Sequence, residues 1–185
     1  MWYKGKPVYI DKNGLAKWSN SNVFVCVDDD KFNDDDIEYA AWTDGACDNL
    51  CNMRPGGSAY IIMKNGEIIR AKNKGLMNTS NNRAEMLAIV SAVLHTPEGA
   101  RLDIYTDSQY SLFTFAGRYS PKANLDLIEQ FNRYARSLGK IVFHWVRGHN
   151  GDENNEMVDD MAYSAYMEMV DMYGLKVGNY SKGGK

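Results

Sequence analysis

The strongest constraint on the fold is the order in which extended and helical segments follow one another between Ile37 and Met172. Ile37 to Thr43 reads as a strand that ends on Asp44. Ser58 to Met63 and Glu67 to Lys72 read as two strands joined at Lys64-Asn65-Gly66, because Asn-Gly supplies the positive φ angles of a tight hairpin. From Asn82 to His95, Ala84, Leu87, Ala88 and Leu94 recur at helical spacing. Arg101 to Thr106 predicts another strand that ends on an acid, Asp107. Ser108 to Phe115 and Leu125 to Leu138 predict helices broken by Ser120-Pro121, with Gly139 as a C-cap. Ile141 to Val146 predicts a fifth strand. Asn154 to Met172 predicts a closing helix with Val158, Met161, Ala162, Ala165 and Met169 on one face. This order implies an α/β fold: a five-stranded mixed sheet flanked by helices. In such sheets ligands gather at strand C-terminal ends where strand order reverses, and Asp44 and Asp107 both fall at such ends.

Upstream, the acidic run from Asp28 to Asp36 marks a boundary, since like charges repel and few apolar groups are available to bury. The predicted division is an N-terminal extension and acidic linker over 1–36, a main domain over 37–172 and a flexible C-terminal tail over 173–185. Within the extension, Pro7 to Ile10 and Val23 to Val27 predict short strands, with a turn at Asp11-Lys12-Asn13-Gly14.

Several classes are disfavoured by composition. No apolar stretch reaches the roughly 18 residues of a membrane span, and the first residues lack the apolar run of a signal peptide. Three cysteines, Cys26, Cys47 and Cys51, do not suit a disulfide framework, and no histidine stands at finger-like spacing from Cys47 and Cys51. A cytoplasmic monomer is the expectation. The net charge of −3 is unhelpful for a nucleic-acid binder, but residues 1–38 carry 8 acids against 5 Lys and Arg, and the remainder is balanced at 16 of each.

Four acids sit in distinct phrases: Asp44 in Thr43-Asp44-Gly45, Glu85 in Asn81-Asn82-Arg83-Ala84-Glu85, Asp107 in Thr106-Asp107-Ser108-Gln109, and Asp159 in Asn155-Glu156-Met157-Val158-Asp159. Carboxylates from separate segments can converge on divalent cations, which Mg²⁺ chemistry favours because Mg²⁺ prefers hard oxygen ligands. Two such ions about 3.5–4 Å apart activate a water and relieve charge on a phosphodiester. Asp44 is the candidate bridging ligand, Glu85 and Asp107 complete one ion's shell, and Asp159 helps hold the second. Each acid also has a structural alternative: a turn at Asp44-Gly45, a cap pairing of Glu85 with Asn82, an N-cap at Asp107, a solvated helix position at Asp159. His149, in Gly148-His149-Asn150-Gly151, stands in a glycine-flanked loop from which an imidazole can move a proton.

Together these phrases, with His144-Trp145-Val146-Arg147-Gly148-His149-Asn150-Gly151 leading through Asn154-Asn155-Glu156 to Asp159, resemble the ribonuclease HI family. The resemblance runs from about Ile37 to Met172 and implies the RNase H-like fold. It implies hydrolysis of the RNA strand of an RNA–DNA hybrid, leaving 5′-phosphate and 3′-hydroxyl ends. It further implies two Mg²⁺ ions, with Mn²⁺ as a substitute, held by Asp44, Glu85, Asp107 and Asp159, and a mobile catalytic His149. Asn81, Gln109 and Asn52 match positions that read the hybrid's minor groove, where 2′-hydroxyls mark RNA. The chain departs from members with a Trp- and Lys-rich protrusion, since Phe115 to Lys122 is short and weakly basic; Phe113, Phe115 and Tyr119 are alternatives for stacking on deoxyribose. Two other functions stay open at this level: a DNA nuclease of the same fold, and a binding module without turnover.

Overall fold

A computed structural model describes residues 7–19, 21–148 and 151–177. One eight-stranded sheet runs through the molecule in the order β1-β2-β3-β8-β7-β4-β5-β6. Its strands are β1 (Tyr9–Ile10), β2 (Leu15–Lys17), β3 (Val23–Cys26), β4 (Tyr39–Cys47), β5 (Gly56–Lys64), β6 (Glu67–Leu76), β7 (Arg101–Thr106) and β8 (Lys140–Trp145). The helices are α1 (Asn81–Leu94), α2 (Gln109–Phe115), α3 (Leu125–Ala135) and α4 (Glu153–Tyr173). The mixed α/β architecture expected from the sequence is present, and the N-terminal strands extend the same sheet rather than standing apart from it.

The β4–β5–β6 meander is antiparallel, whereas β4, β7, β8 and β3 run parallel. Its hairpin turns at Asn65 (φ 52°) and Gly66 (φ 77°), as the Asn-Gly pair predicts. Strand order reverses at β4, which has β5 on one side and β7 on the other. That position is where ligand sites collect in open α/β sheets.

Apolar patterning accounts for the layers. One face packs α1, α2 and α3 through Met86, Ile89, Val93, Leu112 and Phe131 against Leu102, Ile104, Ile141 and Phe143. The opposite face receives α4, whose Val158 and Ala162 meet Ala46, Ala59 and Ile61. A smaller cluster, Leu15, Cys26 and Val142 with Phe24 and Phe32, seats the N-terminal strands. Asn22 ties this region to the end of α3, its Nδ2 donating to the Ala135 and Leu138 carbonyls at 2.9 and 2.8 Å.

Several element ends differ from expectation for local reasons. α1 starts at Asn81 because Ser80 caps it, accepting the Arg83 N–H at 3.1 Å. α3 ends at Ala135, four residues before Gly139, so that glycine is not its cap. α4 starts at Glu153, with Asp152 accepting the Asn154 and Asn155 N–H groups. Its far end is capped by Gly174 in the left-handed region (φ 59°). The acidic linker is not featureless: Asp29–Lys31 and Asp34–Asp36 form single 3₁₀ turns with no buried residue. Phe113 and Phe115 are core residues, and only Tyr119 of the proposed stacking trio is exposed. Among the described residues no helix is long and apolar enough to cross a membrane.

α4 reaches the sheet over two paired glycines, Gly57 of β5 and Gly75 of β6. A Cβ on Gly57 would stand 2.0 Å from the Ala162 carbonyl oxygen, and one on Gly75 would stand 2.5 Å from Met169. Gly57→Ala must therefore push the α4 backbone off the sheet. The expected loss is about 3 kcal/mol of unfolding free energy, read from urea denaturation; a loss under about 0.5 kcal/mol, the scale of an ordinary surface change, would show that α4 is not seated as described.

Candidate active site

β4 outruns β7. Their pairing stops at Trp42–Tyr105, while β4 continues beside β5 to Cys47. Asp44 lies in this overhang, inside the β5 ladder opposite Ala59, and is neither a strand end nor a turn. Its carboxylate accepts the Gly45 N–H at 2.9 Å and the residue is 3% exposed.

Glu85 comes to Asp44 through a backbone-to-backbone approach. A Cβ on Gly45 would fall 2.3 Å from the Glu85 nitrogen and 2.4 Å from the Ala84 carbonyl carbon, so only glycine lets α1 lie this close to β4. Ser58 of β5 secures the same turn of helix by donating to the Ala84 carbonyl at 2.9 Å. Glu85, on the second turn of α1, is consequently 6% exposed and faces the sheet.

Asp107 follows β7 directly. The N-cap of α2 is Ser108, which accepts the Ser111 N–H, so Asp107 is not spent on capping. Trp145 Nε1 donates to the Asp107 carbonyl at 3.3 Å and the Val146 N–H donates to Thr106 at 2.9 Å, locking the ends of β7 and β8 together. Gly148, just past β8, lies so near that a side-chain carbon on it would be 3.4 Å from Asp107 Oδ2.

Asp44, Glu85 and Asp107 thus meet: one carboxylate oxygen from each lies within 4.8 Å of the other two. Asp159, half-buried on α4, does not join that trio. Two buried carboxylates and a half-buried third at this separation repel one another, and all offer hard oxygen donors; a divalent cation such as Mg²⁺ fits both facts. Asn81 and Gln109, both half-buried, are the first residues of α1 and α2, whereas Asn52 is exposed in the β4–β5 loop. His149 and Asn150 lie outside the described residues.

Across residues 36–167 the chain matches the RNase H family profile. The chain belongs to the ribonuclease H family. Ribonuclease H of Nitratidesulfovibrio vulgaris is 36% identical over 136 residues, covering 66% of this chain and 85% of that protein. Ribonuclease HI of Brucella melitensis is 33% identical over 135 residues, with 66% and 85% covered. Ribonuclease H of Psychromonas ingrahamii is 34% identical over 137 residues, with 67% and 87% covered. These relatives are ribonucleases by name, and this chain carries strands β1 to β3 ahead of the matched region.

Sequence reasoning missed Asp48. It is 1% exposed, accepts the Leu50 and Cys51 N–H groups at 3.1 Å, and accepts the Tyr166 hydroxyl of α4 at 2.9 Å. Burial, followed by this bond, holds the Tyr166 phenol well above its ordinary range. Asp48 therefore joins the β4–β5 loop, which carries Asn52, to the helix that carries Asp159. The local signal was an acid four residues after Asp44 and followed by Asn49; nothing in the sequence named Tyr166 as its partner.

Mutual repulsion within the trio predicts two opposite shifts. Without divalent metal, Asp107→Asn removes one like charge and should raise the thermal midpoint. With Mg²⁺ the wild type should gain stability, by about 2.7 kcal/mol at a hundredfold excess over Kd, and the variant should gain far less. Calorimetry with and without Mg²⁺ reads both; an undiminished Mg²⁺ gain in the variant would remove Asp107 from the cation site.

Proposed function

We propose that this protein is a Mg²⁺-dependent endonuclease that hydrolyses the RNA strand of RNA–DNA hybrids, leaving 5′-phosphate and 3′-hydroxyl ends. The observation that carries this reading is the convergence of Asp44, Glu85 and Asp107 within 4.8 Å in a ribonuclease H chain. Bound there, Mg²⁺ supplies charge relief at the phosphoryl oxygens and a water acidic enough to attack near neutral pH. Asp44, Glu85 and Asp107 would hold one such ion, and the two oxygens of Asp44 would let it share in holding a second. Asp159, on α4, would help hold that second ion.

Asn81, Gln109 and Asn52 act as readers of the substrate. Each offers an amide donor and acceptor, the pairing a 2′-hydroxyl needs, and a deoxyribose cannot satisfy it. His149 moves a proton to or from the reacting water or the leaving oxygen. Cys26, Cys47 and Cys51 are thiols rather than disulfides, which suits a reducing cytoplasm.

End-labelled RNA–DNA hybrid, double-stranded RNA, single-stranded RNA and duplex DNA, each with Mg²⁺ or EDTA, test the assignment. Cutting should be confined to the RNA strand of the hybrid and vanish with EDTA. Preferential cutting of duplex DNA would replace this substrate with another; hybrid binding without turnover would make the protein a binding module. Asp107→Asn should reduce cleavage to background. His149→Ala should slow it by about 10²-fold without abolishing it, and an unchanged rate across pH would remove the proton-transfer role.

A further inference from the structure

Beyond the edge of α4, the acidic segment crosses the same face of the sheet on its way from β3 to β4. Beneath it lies a second group of potential metal ligands. Cys26 ends β3, Asp29 opens the first 3₁₀ turn, and His144 belongs to β8. β3 and β8 are parallel with Val25 opposite Phe143, so Cys26 and His144 are neighbours on one face. One potential ligand atom from each of the three residues lies within 4.8 Å of the other two. Cys26 Sγ already donates to Asp29 Oδ1 at 3.3 Å. Sulfur and oxygen ligands on one tetrahedral Zn²⁺ are themselves about 3.5 Å apart, given the usual metal–ligand bond lengths.

The imidazole is prepared in a way the thiol and carboxylate alone would not establish. His144 is 6% exposed, and its Nε2 is hydrogen-bonded to Asp103 Oδ2 at 2.8 Å. Asp103 is fully buried and held on both oxygens by Arg101, at 2.8 and 3.2 Å. Tyr105 stacks on the ring at 4.4 Å and Phe32 meets it edge-on at 4.6 Å. Among the described residues no hydrogen bond reaches Nδ1. A carboxylate that fixes one imidazole nitrogen while the other is left to a cation is the outer-shell arrangement of metal-binding histidines.

We propose that Cys26, Asp29 and His144 Nδ1 bind one Zn²⁺, with water at the fourth position. A thiolate, an imidazole and a carboxylate form a set that favours zinc over magnesium. On binding, the thiol proton leaves to solvent, the sulfur–zinc bond replaces the bond to Asp29, and both oxidation states are unchanged. The Asp28 backbone hydrogen bond favours the thiolate, although burial otherwise pushes the Cys26 thiol up to about 12. Asp29 is exposed and provides the route of entry. The ion would clamp the acidic segment to β3 and β8, on the far side of β7 from the carboxylate trio.

Cobalt substitution tests this in the full chain. Metal-stripped protein is titrated with Co²⁺ in excess Mg²⁺, and the thiolate-to-cobalt charge-transfer band is followed. The carboxylate trio has no sulfur and cannot produce that band. One equivalent of Co²⁺ should develop it, Zn²⁺ should displace it, and Cys26→Ser should abolish it while hybrid cleavage persists. Asp29→Ala, a change at an exposed side chain, should weaken Co²⁺ binding at least tenfold with unchanged circular dichroism. Absence of the band in folded wild type, or a band unaffected by Asp29→Ala, would overturn the proposal, as would one that survives in Cys26→Ser.

Discussion

The approach of α1 to β4 at Gly45 is the contact on which the rest of the active site depends. A helix and a sheet normally keep a side-chain layer between their backbones, and here that layer is missing at one position. The consequence is geometric: the short carboxylate of Asp44, from a strand, and the longer one of Glu85, from a helix, reach the same small volume. Ser58 fastens the helix to the next strand at that same turn, so the approach is held by a directed bond as well as by the absence of a Cβ. Any larger residue at 45 would move Glu85 away from Asp44 even if the fold survived.

The arrangement trades stability for charge density. Asp44 and Glu85 are nearly buried and Asp107 is half-buried, so solvent screens their repulsion poorly. The surrounding framework holds them together regardless. β7 and β8 are locked by Trp145 and Val146, and α4 is fixed to the end of β4 through Tyr166 and Asp48. Strain of this kind at a functional site is compensated by order elsewhere, here by close glycine-mediated packing of two helices on one strand pair and its neighbour.

What could be read from the sequence follows from how local each cause is. Asp107 was placed correctly because the apolar run of β7 stops where its pairing stops. The apolar run stops before Asp44 and so predicts a strand end there, but β5 continues to pair after β7 has ceased, so the strand goes on to Cys47. Ser80 was overlooked as the cap of α1 because Asn81 and Asn82 are equally good capping types, and the choice is made by where α1 must start to meet Gly45. β2, of three residues, has too few positions to show alternation, and its existence depends on β3 and β8 to pair with. Asp48 and Tyr166 are 118 residues apart, and no spacing rule connects them.

The face of the sheet beyond α4 shows how the N-terminal region belongs to the same problem. Helices cover one side of β7 and β8, but on the other side α4 stops at β4. Three parallel rings fill the gap: Trp42 of β4, Tyr105 of β7 and His144 of β8, spaced at 4.6 and 4.4 Å. Stacked pairs of this kind contribute about 0.5–1.5 kcal/mol each beyond burial. At one end Trp42 Nε1 donates to Asp152, the cap of α4; at the other Phe32 of the acidic segment closes over His144. A run of six acids would not by itself cover an apolar sheet, so a single phenylalanine supplies the contact while the carboxylates remain in water. The extension is thus bound to the ribonuclease H sheet through its edge at β8 and through this ring stack, which ends on the first turn of the helix that carries Asp159.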